Sequence, residues 1–480
     1  MKKCIIVGLS LLLFVTQVAF CDNQTPSFSP ILPEADNLPF TLQIELENFS
    51  LPNGIHSGVN GHYKGKWLFL AGRTNGLHDF QGSIPNSNFP RQAQNTNVYV
   101  IDFAKKTVAV RSLNDPGSGL SQKQIDLLSV TSPQGYQSGY TLYMTGGYGV
   151  DTATNQFSTK DVLTAINIPG LIHWVTHPLS KVTAAGYIRQ ISDPIFKVTG
   201  GYMDRLGKHP TLLVFGQDFQ GYYVPESNGN YTQQVRRFNI IDDGVHLKID
   251  KLSSRPALPD PNFRRRDLNV VPVVSRKSGK LVGDLVALAG VFTLTDGVWT
   301  VPVKITPTGK TSMNDVASPD TFKQGMNQYD SATLGLFSKQ RDNMYIILLG
   351  GISVGYFDNG VFTTDSEIPF INQITTVKID KKNKYQQYIM EAEYPVIIST
   401  ESNPGNPLLF GASAEFIPAV DMPLFKNGVI NLDKLREKPV VVGYIVGGIQ
   451  STVPNTSTIS DSAASPYIFK VVLARKKSKN

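Results

Sequence analysis

The feature that most constrains this chain is a repeat. Six times an apolar run rich in leucine, β-branched and aromatic residues ends in glycine, at 67–72, 142–147, 212–216, 285–290, 344–351 and 442–448. The period is about 60–75 residues, apart from a longer last step that carries an insertion over residues 416–438. A strand and a polar turn precede the runs, as 270–274 precede Lys277-Ser278-Gly279. After each run comes a variable loop, then in most units a hairpin with Gly, Pro or Asp at its turn. Residues 98–102 turn through Ala104-Lys105-Lys106 into 107–111, and 235–240 turn through Asp242-Asp243-Gly244 into 245–249. In the second unit the same reading pairs 162–166 with 172–175 across Pro169-Gly170.

Four antiparallel strands per ~70 residues, repeated six times, is the arithmetic of an all-β protein, a six-bladed β-propeller of four-stranded blades. Strands sandwiched between neighbouring blades need apolar side chains on both faces, and these runs have them. The last unit offers one strand after its loop, 467–474, and no outer partner. Strand 40–48 is unassigned and is expected to complete that blade and close the ring. Two unrelated β-domains would instead leave both end strands as open edges. The expected organisation is a signal peptide over 1–21, an extension over 22–39, one propeller domain over 40–474 and a basic tail over 475–480. An apolar run, Gly-Gly, a variable loop and a strand ending in Asp and a turn together resemble kelch-type blades. Gly-Gly is intact at 146–147, 350–351 and 447–448, Gly72, Gly216 and Gly290 stand alone, and an outer-strand Trp occurs only at Trp174. The resemblance implies a secreted kelch-like six-bladed propeller. Such propellers include sialic acid mutarotases, whose pockets use Arg and a general acid/base, but no motif here carries their residues across.

Lys2 and Lys3, an apolar stretch over 5–20 and then Asp22 describe a secretory signal peptide cleaved after Cys21. Lipidation of Cys21 and a buried N-terminal helix are the alternatives. The expected location is therefore secreted, periplasmic or cell-envelope. Cys4 and Cys21 are the only cysteines, so the cleaved chain has no disulfide, no Cys–metal site and no Cys–Tyr radical cofactor. Loss of Lys2 and Lys3 lowers the formal charge from +7 to +5. The clusters Arg264-Arg265-Arg266 and Arg475-Lys476-Lys477 lack interleaved aromatics, which argues against nucleic acid. His-Glu-x-x-His, Gly-x-Ser-x-Gly, P-loop and dinucleotide signatures are absent, so no metal or cofactor is expected, and the protein is expected to be a monomer.

Asn53, Asp126, Asp193, Asp267, Asp330 and Asn406 recur just before each expected innermost strand and would circle the channel mouth. Repetition at every copy favours a capping role at the strand entry over ligand binding. The loop face carries Arg73, His78, Asp79, Arg91, Asp151, Arg189, Asp218, Arg264, Arg266, Lys323 and Asp358, with Tyr148, Phe219, Tyr222, Tyr223, Tyr356 and Phe357 as sugar-stacking candidates. Arg at a cleft suits carboxylate or hydroxylated ligands, because its fork bonds both oxygens of a carboxylate. The expected ligand site is Arg73, His78, Arg189, Asp193, Arg266, Asp267 and Asp330. The expected function is a binding module for a glycan or protein. The alternatives are a sugar-acid isomerase, mutarotase or lyase with an Arg-rich pocket, and a structural envelope protein. The insertion is expected on the opposite face, with about two helical turns over 431–438 capped by Asn431.

Overall fold

Strands apolar on both faces must find a neighbour on each side, and the structure shows how they do. The computed structural model describes residues 32–476 except 34, 79–87, 225, 226, 228 and 296, and from Leu32 onward the chain is one compact unit. The expected signal segment and Cys21 lie outside the described residues, as does Asp79.

The chain forms a succession of four-stranded antiparallel sheets. Sheet I holds Val59–Tyr63, Lys66–Leu70, Asn97–Asp102 and Thr107–Ser112. Sheet II holds Gln134–Ser138, Thr141–Thr145, Val162–Asn167 and Ile188–Ser192. Sheet III holds Tyr202–Asp204, Thr211–Val214, Val235–Asp242 and Leu247–Arg255. Sheet IV holds Asn269–Lys277, Lys280–Leu288, Val303–Ile305 and Thr311–Met313. Sheet V holds Ala332–Ser338, Asn343–Ile352, Phe370–Ile379 and Tyr385–Glu393, with the two-residue strand Ile430–Asn431 added in parallel as a fifth. Sheet VI takes Glu415–Pro418, Val440–Val446 and Ile468–Arg475 from the end of the chain and Phe40–Leu46 from its beginning. Phe40 stands opposite Arg475 and Leu46 opposite Phe469, so the N-terminal strand is the outer strand of the last sheet, as the sequence suggested.

The period-2 alternation of each strand divides its side chains between two neighbours. In Lys66–Leu70, Leu68 and Leu70 pack with Leu142 and Met144 of sheet II, while Trp67 and Phe69 pack with Ile417, Val446 and Ile468 of sheet VI. In sheet V, Met344, Ile346 and Leu348 meet Val271 and Val286 of sheet IV, whereas Tyr345, Ile347 and Leu349 meet Val442 and Phe469 of sheet VI. Separate cores join II to III through Leu163 and Leu213, and III to IV through Leu212 and Leu285.

Every second strand ends in two consecutive left-handed residues: Ala71-Gly72, Gly146-Gly147, Phe215-Gly216, Ala289-Gly290, Gly350-Gly351 and Gly447-Gly448. The motif is thus a conformational doublet even where the first residue is not glycine. Gly447 shows why a side chain is excluded there, since a Cβ would lie 2.2 Å from the carbonyl oxygen of Ile55.

Two expectations are corrected. Residues 172–175 are not a strand but part of helix Ile168–Thr176, capped by Asn167, whose side chain accepts from Gly170 N–H. Leu171, Ile172, Trp174 and Val175 are buried at helical spacing, and the outer strand of sheet II is Ile188–Ser192 instead. Trp174 is therefore a helix residue, with the Arg111 guanidinium 4.4 Å from its ring centroid. In the insertion, Leu432–Lys434 makes only one 3-10 turn and Asn431 gives no side-chain cap. Asn431 belongs to a two-residue strand parallel to Leu336 and Phe337. The Asp433 carboxylate accepts from Ser338 Oγ and from the N–H groups of Lys339 and Gln340, at 2.7, 2.6 and 3.1 Å. These bonds tie the segment to the sheet V hairpin, at the end of its first strand away from Asp330, and stop a helix from propagating.

Candidate functional site

The site is built from one short backbone pattern repeated in each sheet. Two positions before every first strand stands a residue in the left-handed region: Ser57, Ser132, Gly200, Asp267, Asp330 and Ser413. Small or short polar residues tolerate that conformation best. Their backbones bond to one another in sequence. The N–H of Ser132 donates to Ser57 O at 2.9 Å, Gly200 to Ser132 at 3.1 Å, Asp267 to Gly200 at 2.8 Å, Ser413 to Asp330 at 2.6 Å and Ser57 to Ser413 at 3.5 Å. One residue earlier, His56, Thr131, Thr199, Arg266 and Tyr329 each form a single antiparallel bridge with the residue after a glycine doublet, respectively Arg73, Tyr148, Gln217, Val291 and Ile352. In sheet VI the equivalent pair is Ala412 with Ile449. All of these except Ala412 line one cavity of about 860 Å³.

Arg73 is the most unusual member. It is buried, its Nε donates to Asn75 Oδ1 at 2.8 Å, and its guanidinium lies 4.4 Å from the Phe89 ring centroid. Its Nη2 has no hydrogen-bond partner, and among the described residues no carboxylate pairs with it. Burial pulls its pKa down to about 9, against the opposing influence of Tyr148. Beside it, His56 Nε2 is 2.8 Å from Asn75 O, which can only accept, so Nε2 carries the proton. Nδ1 then accepts from Ser57 Oγ at 2.9 Å. Burial, with Arg73 adding to it, holds the His56 pKa at about 3. The Ser57–His56 contact has the spacing of a nucleophile and its base, but an imidazole so hard to protonate is a poor base for a serine proton.

Arg266, unlike Arg73, has a carboxylate beside it, although one of its nitrogens, Nε, also makes no hydrogen bond. Its Nε lies 3.6 Å from Asp267 Oδ2, and its Nη2 donates to Tyr223 OH at 3.4 Å. Burial pulls the guanidinium pKa down, but Asp267, Tyr223 and Tyr231 outweigh it and hold it above its ordinary value. Burial pushes Asp267 up, and Arg266 opposes that rise. Asp330 is pushed up to about 7 by burial and by Asp267, although Ser413 donates a hydrogen bond to its carboxylate. The Asp267 and Asp330 carboxyls, one holding a proton near neutral pH, can donate or accept a proton toward the cavity.

The sequence-derived candidates divide. Arg73, His78, Arg266, Asp267 and Asp330 line the cavity, as do Tyr148, Phe219 and Tyr223. Arg189 and Asp193 do not, which corrects their expected place at the mouth. Arg189 is on the outer strand of sheet II, with Nη2 at 2.7 and 2.9 Å from the Asp242 carboxylate of sheet III. Asp193 caps a 3-10 turn through Ile195 N–H and pairs with Lys251 at 3.0 Å. Asn53, Asp126 and Asn406 are not ring members either. Asp126 lies in helix Gln122–Leu128 and accepts from Thr152, and Asn406 donates to Thr452 O. Each stands about four to seven residues before the left-handed residue that precedes its first strand, on the incoming connection and outside the cavity lining. Arg264 is held by the carbonyls of Phe292 and Thr293 and lies outside the cavity wall, as do Arg91, Asp151, Asp218, Tyr222, Lys323, Tyr356, Phe357 and Asp358.

Sequence reasoning missed His56, Ser57, Phe89, Ser132, Tyr329 and Ser413. A usable signal was present in three sheets: Ser57, Ser132 and Gly200 precede the second residue of their doublets, Gly72, Gly147 and Gly216, by nearly constant spacing. Longer strands in sheets IV and V break that spacing.

No family model and no curated protein matches the chain. A solved structure described as "Structure of YjhT" aligns with 88% of this chain and 98% of its own at 11% identity and a TM-score of 0.41.

Proposed function

We propose that the six sheets are the blades of a kelch-like six-bladed β-propeller, and that the cavity where their loops meet binds an anionic, hydroxylated ligand, a glycan or sugar bearing a carboxylate. The propeller reading is supported by the backbone bonds from ring residue to ring residue and by the core shared between sheets VI and I. The ligand reading rests on Arg73, a buried guanidinium in the cavity wall with Nη2 unsatisfied and, among the described residues, no carboxylate paired with it, although Asp267, Asp330 and Glu367 line the same cavity. A buried cation without a counter-ion is expensive unless something brings one. Phe89, Tyr148 and Tyr223 pack edge to face beside it, an aromatic wall on which a pyranose ring can stack. A volume of about 860 Å³ fits a small ligand enclosed by the protein better than the flat face of a protein partner. The leader-like N-terminal sequence fits a secreted or envelope-associated protein meeting such ligands outside the cytoplasm.

An array of acidic and neutral glycans tests this reading. Acidic glycans should be retained by the wild type and lost by Arg73→Met; equal retention of neutral glycans would refute it. Asp330 beside Asp267 favours a second reading, turnover of a sugar acid by proton transfer. Product formation detected by NMR in the wild type and abolished in Asp330→Asn would establish it, and binding without turnover would leave the module a receptor.

A further inference from the structure

The six equivalent positions after the glycine doublets do not share one chemistry. In sheets I to III they are Arg73, Tyr148 and Gln217; in sheets IV to VI they are Val291, Ile352 and Ile449. At this register the side chains are hydrogen-bonding on one side and aliphatic on the other, while Arg266, Asp267 and Asp330, which precede the first strands of sheets IV and V, line the cavity beside the aliphatic patch. Each side is backed by its own hydrophobic cluster. Behind the hydrogen-bonding side, Tyr148, Val150, Phe157 and Phe219 pack with Phe89 and Tyr223. Behind the other, Val291, Ile352, Phe370 and Ile449 pack together across three sheets with Phe292 and Ile368 against them. All six of those apolar residues line the cavity as well. Water against that wall meets no donor or acceptor from the equivalent positions, so an apolar group that displaces it is favoured.

We propose that the ligand is an acidic sugar that also carries an apolar substituent, with its carboxylate on the Arg73 side and the substituent against the Val291–Ile352–Ile449 wall. This rests on the acidic-sugar reading above and adds the second chemical requirement. A bare uronate would satisfy Arg73 and leave the Val291–Ile352–Ile449 patch wet. A neutral aryl or alkyl glycoside would cover the wall and leave the guanidinium unpaired. A molecule with both ends uses both sides, and the cavity then selects against each half-ligand.

The test compares methyl and phenyl glycosides of glucuronic and galacturonic acid by calorimetric titration of the full chain. The phenyl uronide should bind about tenfold more tightly than the methyl uronide of the same sugar. In Ile352→Thr, which keeps a β-branched residue in the strand, the phenyl-to-methyl ratio should fall toward one. Equal affinity for the two glycosides in the wild type overturns this proposal and leaves the acidic-sugar reading intact. Absence of binding by every uronide overturns the acidic-sugar reading and this proposal with it. A phenyl glucoside binding as well as the phenyl uronide would show that the wall is used without the acid, and also overturns the pairing proposed here.

Discussion

Arg73→Met separates a binding residue from a structural strut, because the two roles predict opposite signs for stability. In the free protein the guanidinium is buried, and burial holds its pKa at about 9 rather than 12.5. A cation whose folded-state pKa is depressed destabilises the fold while it is charged. That penalty is fully present below pH 9 and is relieved only as pH rises through 9. A shift of this size corresponds to at most about 5 kcal/mol. The hydrogen bond to Asn75 and the Phe89 ring return part of it, about 1–3 kcal/mol together. Methionine has similar reach and needs no counter-ion, so Arg73→Met should stabilise the free protein by about 1–2 kcal/mol at pH 7, in line with replacement of other buried charges by apolar groups. Binding of an acidic sugar should weaken by about 1.5–3 kcal/mol, the usual worth of a charged hydrogen bond. Denaturant melts and calorimetric titration on the same preparations read both quantities. A variant less stable than wild type by 2 kcal/mol or more, with unchanged affinity, would mean that Arg73 supports the loop and that the cavity has no anion anchor.

Further predictions concern the fold and its pH response. Asp330 and Glu415 are held at about 7 and Asp204 at about 6, in each case chiefly by burial. The folded state therefore binds more protons than the unfolded chain between about pH 4 and 7, and stability should rise as pH falls from 8 to 5, by at most about 7 kcal/mol. Asp330→Asn, which tolerates the left-handed backbone, should raise the melting temperature at pH 8 and flatten this dependence; a steeper dependence would contradict the assignment. Deleting residues 32–46 removes buried Phe40, Leu42 and Ile44 and leaves Ile468–Arg475 paired on one side only, at a cost of about 5–8 kcal/mol; circular dichroism should show a largely unfolded chain, and retention of a cooperative melt near wild type would argue against a structural role for this strand. Arg189→Ala breaks the pair with Asp242 and should lower stability by about 1–2 kcal/mol with no change in acidic-sugar affinity; a loss of affinity would return Arg189 to the site.

What could be read from the sequence follows from what repeats. The glycine doublets and the apolar runs recur because every sheet must pack on two neighbours, so Phe40–Leu46 could be assigned to the last sheet from its lack of any other partner. Arg73, Arg266, Asp267 and Asp330 were found because they flank the second-strand doublets or the first strands directly. In sheets I, II and III the left-handed residue before the first strand was passed over for an Asp or Asn further upstream, because the incoming connections differ in length and contain 3-10 turns and a helix that also begin on Asp or Ser. Helix Ile168–Thr176 was hidden by an apolar run too short for its period to stand out. The contrast between Arg73, Tyr148 and Gln217 and the aliphatic Val291, Ile352 and Ile449 needed the alignment of bridges such as Arg73 with His56 and Ile352 with Tyr329, which no local pattern announces.

The most direct test of the central claim is a crystal structure of the protein grown with phenyl β-D-glucuronide. The account predicts the sugar in the loop-face cavity, its carboxylate about 3 Å from the Arg73 guanidinium and its phenyl ring against Val291, Ile352 and Ile449. An empty cavity at saturating ligand, or a ligand bound on an outer strand or on the face carrying the 416–438 insertion, would contradict it.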